Sequence, residues 1–316
     1  MNEYIKTNLA KYFAELALLF MTLIWGGTFV IVKESLNDVS PILFVTIRFS
    51  LASIILYAII VFKRITINKN VILPGIFLGS IIFIGFLFQT QGLKLTSATK
   101  SGFLTGTLVV IIPLLQIIIE KKIPTRGAQI GTILVFIGVL FLSSSGNSIF
   151  GFLTDLGKSF NFGDMLTLIC AIFFALHVVF IDIYAPKFKL VELLFMQLVT
   201  VAFLGIIFTL FTDITSLEKA TFSISYNSIK GLLYTALLAT LLNFMLQTKY
   251  QKMVTPTKAG IIYSFEPIFA ALFAFFLLSE KISNFGLAGC ALIFLGLIIA
   301  EGYDSFFLKV KENDES

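Results

Sequence analysis

Ten runs of mostly apolar residues, each close to the length that crosses a bilayer, follow one another along the 316 residues of this chain. They fall at about 14–32, 41–62, 71–92, 98–119, 127–144, 162–184, 190–212, 229–251, 258–278 and 285–301. A lipid core offers backbone amides no partner, so a chain built this way crosses it as helices, each needing about 20 apolar residues. The rest of the composition agrees. Charged residues make up 13% of the chain and hydrophobic ones 58%, with a mean hydropathy of +0.98. A soluble domain carries about a quarter charged residues, and this chain has far more apolar surface than one core can hide. The first run lacks a small-x-small cleavage site and leads straight into nine more, so it reads as a retained helix.

The net charge of +5 takes a membrane meaning here and gives no reason to expect nucleic acid. Alternate segments, beginning with the N-terminal tail, hold 15 of the 23 Lys and Arg residues; the intervening ones hold 7, and Arg48 alone lies inside a span. Positive residues stay cytoplasmic, which predicts an inner-membrane protein with both termini in the cytoplasm. The only cysteines, Cys170 and Cys290, sit far apart inside apolar runs. With a single histidine they make no metal site, and nothing implies a cofactor.

The sequence also repeats itself. Phe86-Leu-Phe-Gln-Thr-Gln-Gly-Leu-Lys94 and Phe244-Met-Leu-Gln-Thr-Lys-Tyr-Gln-Lys252 align at an offset of 158 residues. The match continues through Thr99-Lys100-Ser-Gly102 against Thr257-Lys258-Ala-Gly260, then through Gly131, Phe136 and Gly138 against Gly289, Phe294 and Gly296. Between helix 1 and helix 6 the likeness is weaker, with Trp25-Gly26 opposite Phe174-Ala175. The expected architecture is all-α: ten transmembrane helices in two five-helix repeats, 14–144 and 162–301, with a linker over 145–161 and a cytoplasmic tail over 302–316. An odd number of crossings per copy inverts the second copy, which places a shared central cavity between the halves.

The residues that carry this pattern resemble the EamA-type carriers of the drug/metabolite transporter superfamily over nearly the whole chain. They are Trp25-Gly-Gly-Thr-Phe-Val; Pro41 with Arg48; Thr96-Ser-Ala-Thr-Lys-Ser-Gly-Phe-Leu-Thr-Gly106 running on to Ile112-Pro113; and Thr257 through Glu266-Pro267 to Leu278-Ser-Glu280-Lys281. The resemblance implies ten helices, a central cavity and ATP-independent movement of metabolites. In one respect the chain departs from it. Such carriers often have Glu-Pro in both helix 4 and helix 9, whereas the first half here reads Ile112-Pro113, so a symmetric pair of carboxylates is lacking.

A charge at the bilayer centre costs about 2.5–3.5 kcal/mol on insertion scales, which singles out the few ionisable residues within spans. Glu266 lies eight residues into helix 9, about 12 Å along its axis. It suits a proton carrier, and equally a brace for a helix broken at Pro267; Pro113 is the corresponding break expected in helix 4. Arg48, about 10 Å into helix 2, fits a clamp on a substrate carboxylate, a partner for Glu266, or a structural arginine near one face. Its counterpart in the second half is Gln197. His177 fits an interhelical hydrogen bond or a pH sensor. Asp182 sits toward the cytoplasmic end, and Asp164 and Glu192 occupy helix starts where acids serve as caps. Gln89 and, in the equivalent helix, Asn243 and Gln247 can orient a zwitterion or join helices. Trp25, Thr28 and Tyr263 complete the set expected to flank the cavity. Paired glycines at 75/79, 102/106 and 127/131 suggest close packing within each half.

Taken together, these features predict a non-enzymatic secondary transporter, an exporter of amino-acid-like or drug-like solutes driven by a proton or ion gradient, acting as a monomer or weak homodimer. Two other readings stay open: a flippase-like carrier of a lipid-linked headgroup and, less favoured, an intramembrane lipid-modifying enzyme. Against the enzyme stands the lack of HExxH, GxSxG or any acid–histidine–nucleophile group. The lack of GxxxxGK[ST] removes a built-in ATP motor.

Overall fold

The computed structural model describes residues 3–142, 160–279 and 284–314, and these are almost entirely helical, with one isolated β-bridge between Val39 and Phe222. In chain order the helical spans are α1 (Glu3–Ser35), α2 (Pro41–Phe62), α3 (Ile72–Leu95), α4 (Ala98–Glu120), α5 (Arg126–Leu142), α6 (Phe162–Tyr184), α7 (Leu190–Ile214), α8 (Tyr226–Met253), α9 (Pro256–Leu277) and α10 (Asn284–Asp314). Among the described residues, eight of these are long and apolar enough to cross a membrane. The apolar parts of α5 and α10, Arg126–Phe141 and Asn284–Ala300, are shorter. Most of the linker expected over 145–161, together with Glu280 and Lys281, lies outside the described residues. The segment expected as a tail after residue 301 continues α10 as helix to Asp314.

Local chemistry sets the helix ends. Pro41 opens α2, where its fixed φ is pre-formed for a helix and its missing N–H is no loss. A reciprocal capping box of Asn161 and Asp164 starts α6, and one of Ser225 and Ser228 starts α8. Ser97 and Thr255, equivalent across the 158-residue offset, cap α4 and α9 by accepting from the backbone N–H groups of Lys100 and Lys258.

Both α4 and α9 are interrupted, and at equivalent places. The first breaks at Thr107, between Ala98–Gly106 and Leu108–Leu115. The second breaks at Ser264 and Phe265, between Pro256–Tyr263 and Glu266–Leu278. Pro267 sits in the first turn after its break, where a proline is tolerated. Pro113, by contrast, lies inside a helix that continues through it and widens into a π-helical turn at Gln116–Glu120. The interruption of α4 therefore falls six residues before the proline. A second π stretch, Tyr234–Leu242, lies within α8.

Packing crosses between the halves more than it stays within them. α5 lies against α10, α2 against α7, α3 against α6 and α7, and α1 against α8 and α9. α4 contacts both α6 and α9. Of the glycines expected to pack each half internally, Gly75, Gly79, Gly102, Gly106 and Gly131 face the other half instead. Gly75 and Gly79 of α3 meet Met196 and Thr200 of α7, and Gly106 of α4 meets Pro267 of α9. On α5, Gly131 and Gly138 approach the carbonyls of Gly296 and Gly289, where a Cβ would stand 2.7 Å from each oxygen. Those two contacts are copies of one another under the 158-residue offset, and they require α5 and α10 to run antiparallel. Side chains such as Phe62, Ile118 and Phe276 project outward, as a lipid-facing surface requires.

Candidate functional site

Where the interrupted α4 and α9 meet α1, α3, α6 and α8, the chain encloses a cavity of about 50 Å³, room for a few water molecules. Its lining comes in pairs. Trp25 and Phe174, Thr28 and His177, Phe86 and Phe244, Gln89 and Gln247, and Leu108 and Glu266 all face it. The first two pairs are related by an offset of 149 residues and the other three by 158. Repeat mates thus converge on one space, so the cavity straddles the line that relates the halves. Position is symmetric; chemistry is not. Arg48 brings a cation from the first half, while Glu266 and His177 come from the second.

Arg48 is 3% exposed, and no carboxylate among the described residues lies within 4 Å of it. It is neither a surface arginine nor a partner of Glu266. Its Nε donates to the Thr240 hydroxyl at 2.6 Å and its Nη2 to the Ala239 carbonyl at 3.3 Å. Its Cζ stands 4.5 Å from the centre of the Phe86 ring, where the π-face attracts a cation. Both hydrogen-bond partners belong to the π stretch of α8. The Ala239 carbonyl also accepts from Trp25 Nε1 at 2.9 Å. Among the described residues two of the five guanidinium donors are thus placed, on a side chain that also lines the cavity.

Glu266 heads the second segment of α9, and its carboxylate has no hydrogen-bond or ionic partner among the described residues, although it is 8% exposed and lines the cavity. Its mate Leu108 offers no acid. A helix N-terminus carries partial positive charge, which helps hold an anion at that place.

His177 Nε2 is 2.9 Å from Gln197 Oε1, and its ring meets Phe244 edge to face at 5.9 Å. Gln197 and Asn243 are fully buried but do not line the cavity, Gln197 standing behind the histidine and Asn243 donating to the Met21 carbonyl of α1 at 3.0 Å. Trp25 packs edge to face on Tyr263 at 5.9 Å. The Thr28 hydroxyl is spent on the Trp25 carbonyl. Gln89 reaches Thr105 at 3.5 Å, while among the described residues Gln247 Oε1 is buried and accepts no hydrogen bond.

Gln251 was not among the residues singled out from the sequence. Its Oε1 accepts from Gln247 Nε2 and from the Tyr263 hydroxyl, each at 2.9 Å, and its Nε2 donates to the Val178 carbonyl at 2.6 Å. Its spacing of four from Gln247, one helical turn, was the available signal. A separate vestibule of about 320 Å³ is lined by Lys11, Glu120, Lys122, Asp182, Lys252 and Lys258. Among the described residues no group of His, Cys, Asp and Glu suits a metal ion.

The EamA-like transporter family matches this chain twice, over residues 12–144 and 161–301. The chain belongs to that family. An uncharacterized transporter of Archaeoglobus fulgidus is 33% identical over 289 residues, covering 92% of this chain and 86% of its own length. The uncharacterized transporter YoaV of Bacillus subtilis is 23% identical over 288 residues, covering 90% and 95%. One crystal structure superposes with a TM-score of 0.72 at 15% identity, covering 91% of this chain and 97% of that one; at such identity it speaks for the fold alone. As an EamA-like protein the chain is a multi-pass membrane transporter, whose surroundings are the lipid bilayer and whose partners are small-molecule solutes.

Proposed function

We propose that this EamA-like chain is a secondary exporter that moves a small zwitterionic, amino-acid-like solute by alternating access, with Glu266 coupling the cycle to protons. The observation that carries this reading is a cavity holding a buried arginine without an acid and a buried carboxylate without a cation. Charges kept apart in a low-dielectric space are costly unless something comes between them. A solute with a carboxylate for Arg48 and an ammonium for Glu266 satisfies both. The aromatic wall of Trp25, Phe86, Phe174, Phe244 and Tyr263 would take its apolar part.

The rest of the reading concerns movement. The halves, 14–144 and 162–301, act as inverted copies rocking about the cavity. The antiparallel crossing of α5 on α10 supports this, because an axis exchanging two antiparallel helices lies perpendicular to them, in the membrane plane. Both termini are placed in the cytoplasm, together with the lysine-lined vestibule, which would load the solute from that side. We assign the cavity no catalytic step.

Proteoliposomes loaded with amino acids, nucleobases or vitamins, with and without a pH gradient, test the proposal. Zwitterionic amino acids should be moved and should exchange. The Glu266→Gln variant should exchange the solute only at raised concentration, having lost the counter-charge of its ammonium, and should lose its response to the gradient. Movement of none of these solutes, or a Glu266→Gln carrier still driven by the gradient, would refute the solute class or the coupling respectively.

A further inference from the structure

Two ion pairs outside the cavity copy one another. Lys258 Nζ meets Glu15 Oε1 at 2.7 Å, and Lys100 Nζ meets Asp164 Oδ2 at 2.6 Å. The lysines are repeat mates at the 158-residue offset, and the acids are mates at the 149-residue offset of the first two helices in each half. Each pair joins a helix of one half to a helix of the other: α9 to α1, and α4 to α6. In a chain that crosses back and forth, the starts of α1 and α9 share one face of the membrane, while the starts of α4 and α6 share the other. The pairs therefore stand on opposite faces, one at each end of the path through the cavity. Lys258 also lines the vestibule.

The two pairs are not equally secured. Asp164 is fully buried and also accepts from Thr96 Oγ1 at 2.6 Å and from the Asn161 backbone at 2.8 Å. Among the described residues Glu15 meets Lys258 alone. The Asp164 face carries a further tie, a clasp in which the α7–α8 connection folds over the start of α2. There Ser40 N donates to the Thr221 carbonyl, Ser223 N to the Asp38 carbonyl, and Ile42 N to Glu218.

We propose that Lys258–Glu15 and Lys100–Asp164 are the alternating latches of the carrier, one for each face, and that the Lys258–Glu15 latch is the weaker. Opening toward the face of the N terminus breaks the first pair and leaves the second formed; opening the other way does the reverse. This rests on the carrier reading but not on the identity of the solute.

The test uses a cysteine in the cavity, Thr28→Cys, with Cys170→Ala and Cys290→Ala, in the full chain. An impermeant methanethiosulfonate is applied to right-side-out and inside-out vesicles, and an N-terminal tag reports which face is which. Lys258→Met should speed labelling about tenfold from the face of the N terminus and not from the other, a shift of about 1.4 kcal/mol away from the closed state. Lys100→Met should speed it from the opposite face only, and from a lower parent rate, because the clasp and the better-secured pair keep that face closed. The charge swap Glu15→Lys with Lys258→Glu should restore the parent rate, which guards against a variant that merely folds badly. Equal rates in all variants, faster labelling from the same face for both lysine variants, or a folded swap that stays fast would overturn the latches. A Thr28→Cys that reacts from neither face in any variant would instead overturn the cavity, and with it the carrier reading.

Discussion

A buried guanidinium without an acid has to be held by neutral groups, and Arg48 is held by Thr240, the Ala239 carbonyl and the face of Phe86. Replacing Thr240 by the near-isosteric valine leaves Nε–H buried with no acceptor, a loss of about 1–3 kcal/mol. Thr240→Val should therefore lower the midpoint of thermal unfolding in detergent, and the drop should vanish when Arg48 is replaced by methionine as well. An undiminished loss in the double variant would mean that Thr240 acts elsewhere. Arg48 itself was legible in the sequence as the one basic residue inside a span, but its partners were not. Nor was the place of Gln197 or Asn243. Because α2, α3 and α7 are apolar on every side, no polar stripe shows which face turns inward. Position along such a helix can be read from sequence, whereas rotation is fixed only by packing.

At the scale of elements, glycine decides how close α5 and α10 come. A Cβ on Gly138 would lie 2.7 Å from the Gly289 carbonyl oxygen and 2.9 Å from Ile293. Neither the backbone nor a side chain fixed at its Cβ can yield easily, so Gly138→Ala must push the helices apart at about 1–3 kcal/mol. On α10, no described residue comes within 4 Å of the same position on Gly302, and Gly302→Ala should be neutral or slightly stabilising. Thermal unfolding of the two variants side by side checks the contrast; equal effects would remove close packing as the reason for Gly138. The glycine spacing was readable, but its partner was not, because a four-residue step marks a flat helix face without naming what lies on it. The breaks in α4 and α9 teach the same lesson from the other side. Pro113 looked like the interruption, yet the chain breaks at Thr107, the place equivalent to Phe265. The repeat was a better guide to the break than the proline.

For the whole molecule the repeat carried most of what the sequence disclosed, since Gln, Thr and Lys recur at one offset where apolar residues alone prove little. It faded over the first helix of each half because there the copies diverged in chemistry, Thr28 against His177 and Glu15 against Asp164, while keeping their places. The nine residues by which the two offsets differ fall in the connection after the second helix of each half, and they supply the clasp on one face only. Ten crossings, an even number, return the chain to the face where it began, and under the proposal above the excess of 15 basic residues over 7 makes that face the cytoplasmic one. Reporters active only in the cytoplasm should therefore work when fused at either end, and should fail when inserted between α7 and α8, near Leu217. A reporter active at one end and silent at the other would mean an odd number of crossings. The two copies could not then be inverted about one cavity, and the paired lining of that cavity would lose its physical origin.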